Sequence, residues 1–199
     1  MARLADKQYD HLLQAIYRGA MEQPPWRSAL PELSKAIDAQ VVSLVLRPPS
    51  QGDRGIILNY VRSEPGEQPA ETTLADPDDW EVSAYREQFF ALDPFINLPP
   101  QQIIALDDIL TDAELISSDY YQHYLQPIGL FRILGVDTGD PEGLLARLRF
   151  SRRREEAPFD RRDKDVLELI TPHLRQAIEI YARLNHMASE RDIYAGAVD

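Results

Sequence analysis

The residue types that carry nucleophilic, metal or phosphate chemistry do not converge in this sequence. It contains no cysteine, which excludes disulfides, thiolate metal sites, iron–sulfur ligation and a cysteine nucleophile. The four histidines, His11, His123, His173 and His186, pair with a serine in no recognisable motif, and there is no Gly-x-Ser-x-Gly elbow. No His-Glu-x-x-His occurs, and the Asp76, Asp78, Asp79 cluster lacks the glycine and ligand spacing of a calcium loop. The glycines form neither a Walker loop nor a dinucleotide fingerprint. Neither catalysis, a cofactor nor a metal is expected.

Recognition is better supported. Trp80, Tyr85, Phe89, Phe90 and Phe95 crowd one segment, and Tyr120, Tyr121 and Tyr124 crowd another. A small-molecule pocket needs apolar walls and a few fixed polar groups, which Trp80, Tyr85, Phe89, Asp93, Tyr121 and Tyr124 would supply. The same aromatics could instead fill a core, with their hydroxyls reaching the surface. The basic run Arg147, Arg149, Arg152, Arg153, Arg154, Arg161 and Arg162 reads as a solvated strand end balanced by Glu155, Glu156, Asp160, Asp163 and Asp165. An anion or nucleic-acid patch is the alternative.

The elements that must position these groups follow from periodicity. Tyr9, Leu12, Leu13, Ile16, Tyr17 and Ala20 have the spacing of an amphipathic helix, stopped at Pro24-Pro25. A second helical stretch runs from Trp26 through Ile37. Val41–Leu46 and Ile56–Val61 read as an antiparallel pair of strands. Residues 63–79 read as a loop. A helix is expected over Trp80–Leu92, ended by Asp93-Pro94. A short strand follows at Ile103–Leu106, then helices from about Thr111 and over Ser118–Leu125. Leu130–Val136 and Leu144–Phe150 read as a hairpin around a loop dense in turn formers.

After Pro158 the pattern is helical, with Asp160 as the cap. Leu167, Ile170, Leu174, Ala177, Tyr181 and Leu184 alternate gaps of three and four, the spacing of a heptad seam, and are expected to form a homodimer interface. About 35 helical residues reach some 50 Å, so the helix should overhang a domain of this size. The expected fold is α/β, a mainly antiparallel sheet flanked by helices, with a globular domain over 1–157 and a long C-terminal dimerisation helix over 158–199.

The 199 residues carry a formal charge of −12 and are 44% hydrophobic, enough to build a core. The acidity argues against this chain alone binding a phosphate backbone. No signal peptide and no run of about 18 apolar residues is present, so a cytoplasmic protein that avoids the membrane is expected.

Three stretches resemble one family. Tyr9–Leu46 (YDHLLQAIYRGAMEQPPW…AQVVSLVL), Phe90–Pro94 (FALDP) and Phe159–Leu184 (FDRRDKDVLELITPHLRQAIEIYARL) look like the N-terminal GAF/PAS-like sensor region of LuxR-type transcriptional regulators. The run from Leu167 to Ala177 is the most specific part. The resemblance implies a ligand-sensing, dimerising domain whose DNA binding resides in a helix-turn-helix beyond Asp199; a pure dimerisation domain with a self-filled pocket is the alternative. The branch that binds acyl-homoserine lactones uses a tryptophan, a tyrosine four residues on, an aspartate thirteen after the tryptophan, and a second tryptophan fifteen after that. Trp80 and Asp93 match, whereas the tyrosine falls on Ala84, beside Tyr85, and the second tryptophan on Asp108. A small apolar or aromatic ligand is therefore expected in place of a homoserine lactone.

Overall fold

The computed structural model describes residues 6–48, 55–63, 66–67, 70–75, 93–96, 98–139 and 143–196. Its centre is a sheet of strands β1 (Val41–Arg47), β2 (Ile56–Val61), β3 (Thr73–Leu74), β4 (Ile104–Ala105), β5 (Arg132–Gly139) and β6 (Leu145–Arg152), in the order β3-β2-β1-β6-β5-β4. All neighbours pair antiparallel. The fold class is as the periodicity predicts, a mixed α/β domain with a long C-terminal helix. β3 falls inside the stretch read as loop; two residues are too few to show a period. The helix expected over Trp80–Leu92 lies outside the described residues.

One sheet face is dry. Val42, Leu44 and Leu46 of β1, Leu58 of β2, Leu134 and Val136 of β5, and Ala146, Leu148 and Phe150 of β6 are all buried. They pack in one core with helices α1 (Asp6–Gly19), α2 (Ala29–Ile37) and the C-terminal helix. Trp26 precedes α2 instead of opening it. Its backbone is left-handed at φ 54°, a conformation that side chains seldom adopt. Here the indole is fully buried, donates to the Ile16 carbonyl at 2.9 Å and meets the Tyr181 ring edge-on at 5.2 Å. A Cβ on Gly19 would overlap that indole, so the α1–α2 corner is built around one aromatic ring.

On the other side, a second core gathers Phe95, Leu106, Leu115, Tyr121, Leu125 and Phe131. It is carried by a 3-10 turn (Leu106–Asp108), a short helix α3 (Asp112–Ser117) and a π-helical turn (Tyr121–Leu125). Thr111 caps α3 reciprocally with Glu114, whose carboxylate accepts from the Thr111 backbone N–H at 2.8 Å.

The C-terminal helix α4 spans Arg161–Gly196 and contains Pro172. Asp160 caps it as expected, its Oδ1 accepting from the backbone N–H of Arg162 at 2.7 Å and of Asp163 at 3.2 Å. The expected dimer seam is corrected, because Leu167, Ile170, Leu174 and Ala177 are at most 1% exposed within the single chain. They pack in the main core, where a second copy cannot touch them. Tyr181 is half-buried beside Trp26, and Leu184 alone of the six is exposed. For the same reason 157/158 is not a packing boundary: α4 belongs to the globule through Ile178.

Two ion pairs anchor the start of α4. Arg152, at the end of β6, donates to the carbonyls of Ile37, Asp38, Ala157 and Pro158, pairs with Asp163 at 3.1 Å and lies over the Phe159 ring. Lys164 donates to Asp108 at 2.6 Å, and the backbone N–H of Ala105 donates to the same carboxylate at 2.8 Å. Burial would raise the Asp108 carboxyl, but the Lys164 and Ala105 hydrogen bonds and the Lys164 charge hold it below its ordinary value of 3.8.

Leu174→Ala should lower unfolding stability in urea by about 2–5 kcal/mol, whereas Leu169→Ala, at an exposed position of the same helix, should stay within about 0.5 kcal/mol of the parent; equal effects would contradict the seam's place in the core. Because folding depresses the Asp108 pKa, its contribution is present above the ordinary value and disappears as pH falls through the lowered one. Asp108→Asn should therefore cost up to about 1 kcal/mol at neutral pH, the range of an exposed pair. Wild-type and variant urea midpoints should converge as pH drops below 3.8; a difference that persists there would disprove the linkage.

Candidate functional site

Strand alternation builds the floor of a cavity on the sheet's second face. Ser43, Val45 and Arg47 of β1, Ile57 and Asn59 of β2, Ile133 of β5, and Arg147, Arg149 and Ser151 of β6 point away from the helices and line it. The opposite wall is Asp93, Phe95, Tyr120, Tyr124, Leu125, Ile128 and Leu130. The cavity is partly open, with a volume of about 190 Å³. That is below the ~300–1,000 Å³ of drug-sized sites, so the space suits a small metabolite.

The floor is polar and internally paired. Ser43 and Asn59 face each other across β1 and β2, and the Ser43 hydroxyl donates to the Asn59 amide oxygen at 2.7 Å. Arg149 donates to Asp137 at 2.6 Å and to the carbonyls of Val136 and Leu148, both at 3.1 Å. Its guanidinium also lies 5.1 Å from the centre of the Phe95 ring, within cation–π range. Arg147 approaches the same Asp137 at 3.6 Å. Gly135 sits opposite Arg149, and a Cβ there would come within 2.8 Å of Arg149 Cδ and 3.0 Å of the Phe95 ring. The missing side chain lets both lie flat across β5.

Of the residues expected to bind ligand, Asp93 and Tyr124 line the cavity. The Asp93 carboxylate also accepts from the backbone N–H of Phe95 at 2.8 Å, fixing the turn that delivers that ring. Tyr121 is corrected: it packs edge-on against Phe131 at 5.4 Å in the second core, and Tyr120 lines the cavity in its place. The Tyr120 and Tyr124 rings meet at a tilt of 34° with centroids 5.5 Å apart. The π-helical turn sets which tyrosine faces inward, and no sequence period marks such a turn. Trp80, Tyr85 and Phe89 lie outside the described residues. Asp108, at the position of the second tryptophan in the lactone-binding pattern, does not line the cavity and reaches to Lys164 instead.

Sequence reasoning missed the sheet's contribution. Arg147 and Arg149 are not a solvated strand end: their side chains are 24% and 15% exposed and paired to Asp137, not to Glu155 or Glu156. The signal was the alternation itself, with Ser43, Asn59, Arg147 and Arg149 interrupting strands whose other face is apolar. Among the described residues no cluster of histidines and acids could hold a metal, and no helix is long and apolar enough to cross a membrane.

No family model matches the sequence, and no curated protein matches it. Solved structures do. The ligand-binding (LBD) domain of VqsR from Pseudomonas aeruginosa aligns over 88% of this chain and 94% of its own, with TM-score 0.56 and 15% identity. CepR2 from Burkholderia cenocepacia, an N-acylhomoserine lactone dependent LuxR family transcription factor, aligns over 88% of this chain and 96% of its own, with TM-score 0.52 and 16% identity. The GAF domain of the cyanobacteriochrome TePixJ aligns over 83% and 94%, with TM-score 0.50 and 15% identity. With its antiparallel sheet, helix-covered dry face and cavity on the other, the chain has the GAF-like fold seen in the ligand-binding domains of LuxR-type regulators.

Proposed function

We propose that this chain is the ligand-sensing, dimerising regulatory domain of a LuxR-type transcriptional regulator, with DNA binding carried by a helix-turn-helix outside residues 1–199. The observation that carries the reading is the cavity of about 190 Å³ between the polar face of the sheet and the Asp93–Leu130 wall. A pure dimerisation domain would fill that space with its own aromatics. The side chains present combine apolar walls with fixed polar groups, as ligand sites do. A bound small molecule would act by favouring one packing of the cavity wall over another, and so one arrangement of the exit helix.

Pairing of two copies would use the exposed part of α4. Ile180, Leu184 and Met187 are exposed at a spacing of four and three residues, one apolar stripe beyond the globule. A two-fold dimer on this stripe would present two DNA-binding modules to paired half-sites.

Two measurements test the reading. A metabolite screen by thermal shift should find a small molecule that stabilises the chain. At a hundredfold excess over Kd, binding adds about 2.7 kcal/mol, or about 5–10 °C for a chain of this length. A Val45→Trp variant, which fills the cavity, should keep its far-ultraviolet circular dichroism and lose the shift; an undiminished shift would place the ligand elsewhere. Sedimentation at micromolar concentration should show a dimer that the Ile180→Glu/Leu184→Glu double variant converts to monomer at unchanged far-ultraviolet circular dichroism. A monomeric wild type would contradict the stripe as an interface.

A further inference from the structure

The second face of the sheet holds a glycine at a position where the strand gains nothing from one. Gly135 lies inside β5, between β6 and β4. Its backbone is not in the left-handed region, where Gly55, Gly66, Gly129 and Gly139 sit. Alanine would suit such a backbone, and a glycine inside a strand weakens it. The reason for this one is space. In register Gly135 pairs with Arg149, Arg149 with Ser43, and Ser43 with Asn59. One row thus crosses β5, β6, β1 and β2, and its last three members line the cavity.

A neighbour's side chain uses the room that Gly135 leaves. A Cβ there would come within 2.8 Å of Arg149 Cδ, 3.0 Å of Arg149 Nε and 3.0 Å of Phe95 Cδ1. Without it Arg149 lies down across β5, and its guanidinium donates to the Val136 and Leu148 carbonyls and to Asp137. With a Cβ in place, something must move. β5 is paired on both sides, to β4 and to β6. Phe95 is buried, and its backbone N–H is held by the Asp93 carboxylate. Strand and ring are therefore fixed, and the long arginine side chain is the part that gives. Among the described residues, the open volume beside it is the cavity.

We infer that Gly135 sets the depth of the cavity, and thereby the size of the molecule it accepts. Lacking a side chain, it lets Arg149 lie flat; a larger residue stands that arginine up into the binding space. Gly135 is thus a positioning residue, acting on the ligand through Arg149. The inference rests on the sensing reading of the cavity and adds to it the residue that decides how large a ligand fits.

Calorimetric titration of the full chain with straight-chain primary alcohols, butanol to octanol, measures that depth with uncharged probes. Each methylene that reaches apolar surface should improve affinity about three- to fourfold, and the gain should stop where the chain fills the cavity. Gly135→Ala should stop it about two carbons earlier, leaving the longest alcohols roughly tenfold weaker, at unchanged far-ultraviolet circular dichroism. Gly135→Ala/Arg149→Ala, which removes the displaced side chain, should restore the wild-type limit or exceed it. A merely structural need for glycine would not be repaired by the second substitution. A wild-type limit kept by Gly135→Ala, or one not recovered in the double variant, would overturn the inference and leave the sensing cavity standing. Absence of binding by every alcohol to the wild type at millimolar concentration would overturn both. Should Gly135→Ala fail to fold, Arg149→Ala alone decides: with the glycine kept it should extend the limit, and an unchanged limit would count against the inference.

Discussion

Strands β1 and β6 lie at the centre of the sheet, and their side chains must alternate between its two faces. Everything else in the domain depends on how that alternation is filled. Val42, Leu44, Leu46, Ala146, Leu148 and Phe150 take the face under the helices, and Ser43, Arg47, Arg147, Arg149 and Ser151 take the other. A slip of one residue would drive two guanidiniums into the main core and turn its leucines toward the cavity. The ion pair of Arg149 with Asp137 and the absent side chain of Gly135 fix the register on the cavity side. Core packing and a cavity lining are thus two consequences of one pattern.

Most elements were legible because their periods are long and their breaks chemical. α1 shows a clean apolar stripe, Asp160 and Thr111 mark helix starts, and the β5–β6 hairpin is flanked by turn residues. Three readings that bear on the cavity and on pairing failed for definable reasons. Over eighteen residues, a three-four alternation of apolar side chains is the same whether the helix packs on its own sheet or on a second copy. Leu167 to Ala177 belong to the first case. Alternation in β6 showed that Arg147 and Arg149 share a face, but a period of two does not distinguish bulk water from a walled cavity. The choice between Tyr120 and Tyr121 turns on a local π-helical turn. Asp93 was singled out as a polar group beside an aromatic segment and by its match to the aspartate position of the lactone-binding pattern.

β6 also joins the cavity to the exit helix. Ser151 lines the cavity, and its neighbour Arg152 holds four carbonyls and Asp163. Consecutive residues of one strand therefore touch the ligand-side space and the start of α4. At the β4 edge, Lys164 reaches Asp108 in the turn that follows that strand. The first half of α4 is thus tied to a central strand and to the β4 edge, while its second half carries the exposed stripe.

The central claim is that ligand meets one face of the sheet only. Methyl-resolved NMR, during titration with a compound that raises the melting temperature, tests it residue by residue along single strands. The account predicts shifts for Val45, Ile57, Leu130 and Ile133, which line the cavity, and none for Leu44, Leu58 and Leu148, their neighbours on the dry face. Perturbations centred on the dry face, or confined to Ile180, Leu184 and Met187 of the exit helix, would contradict it.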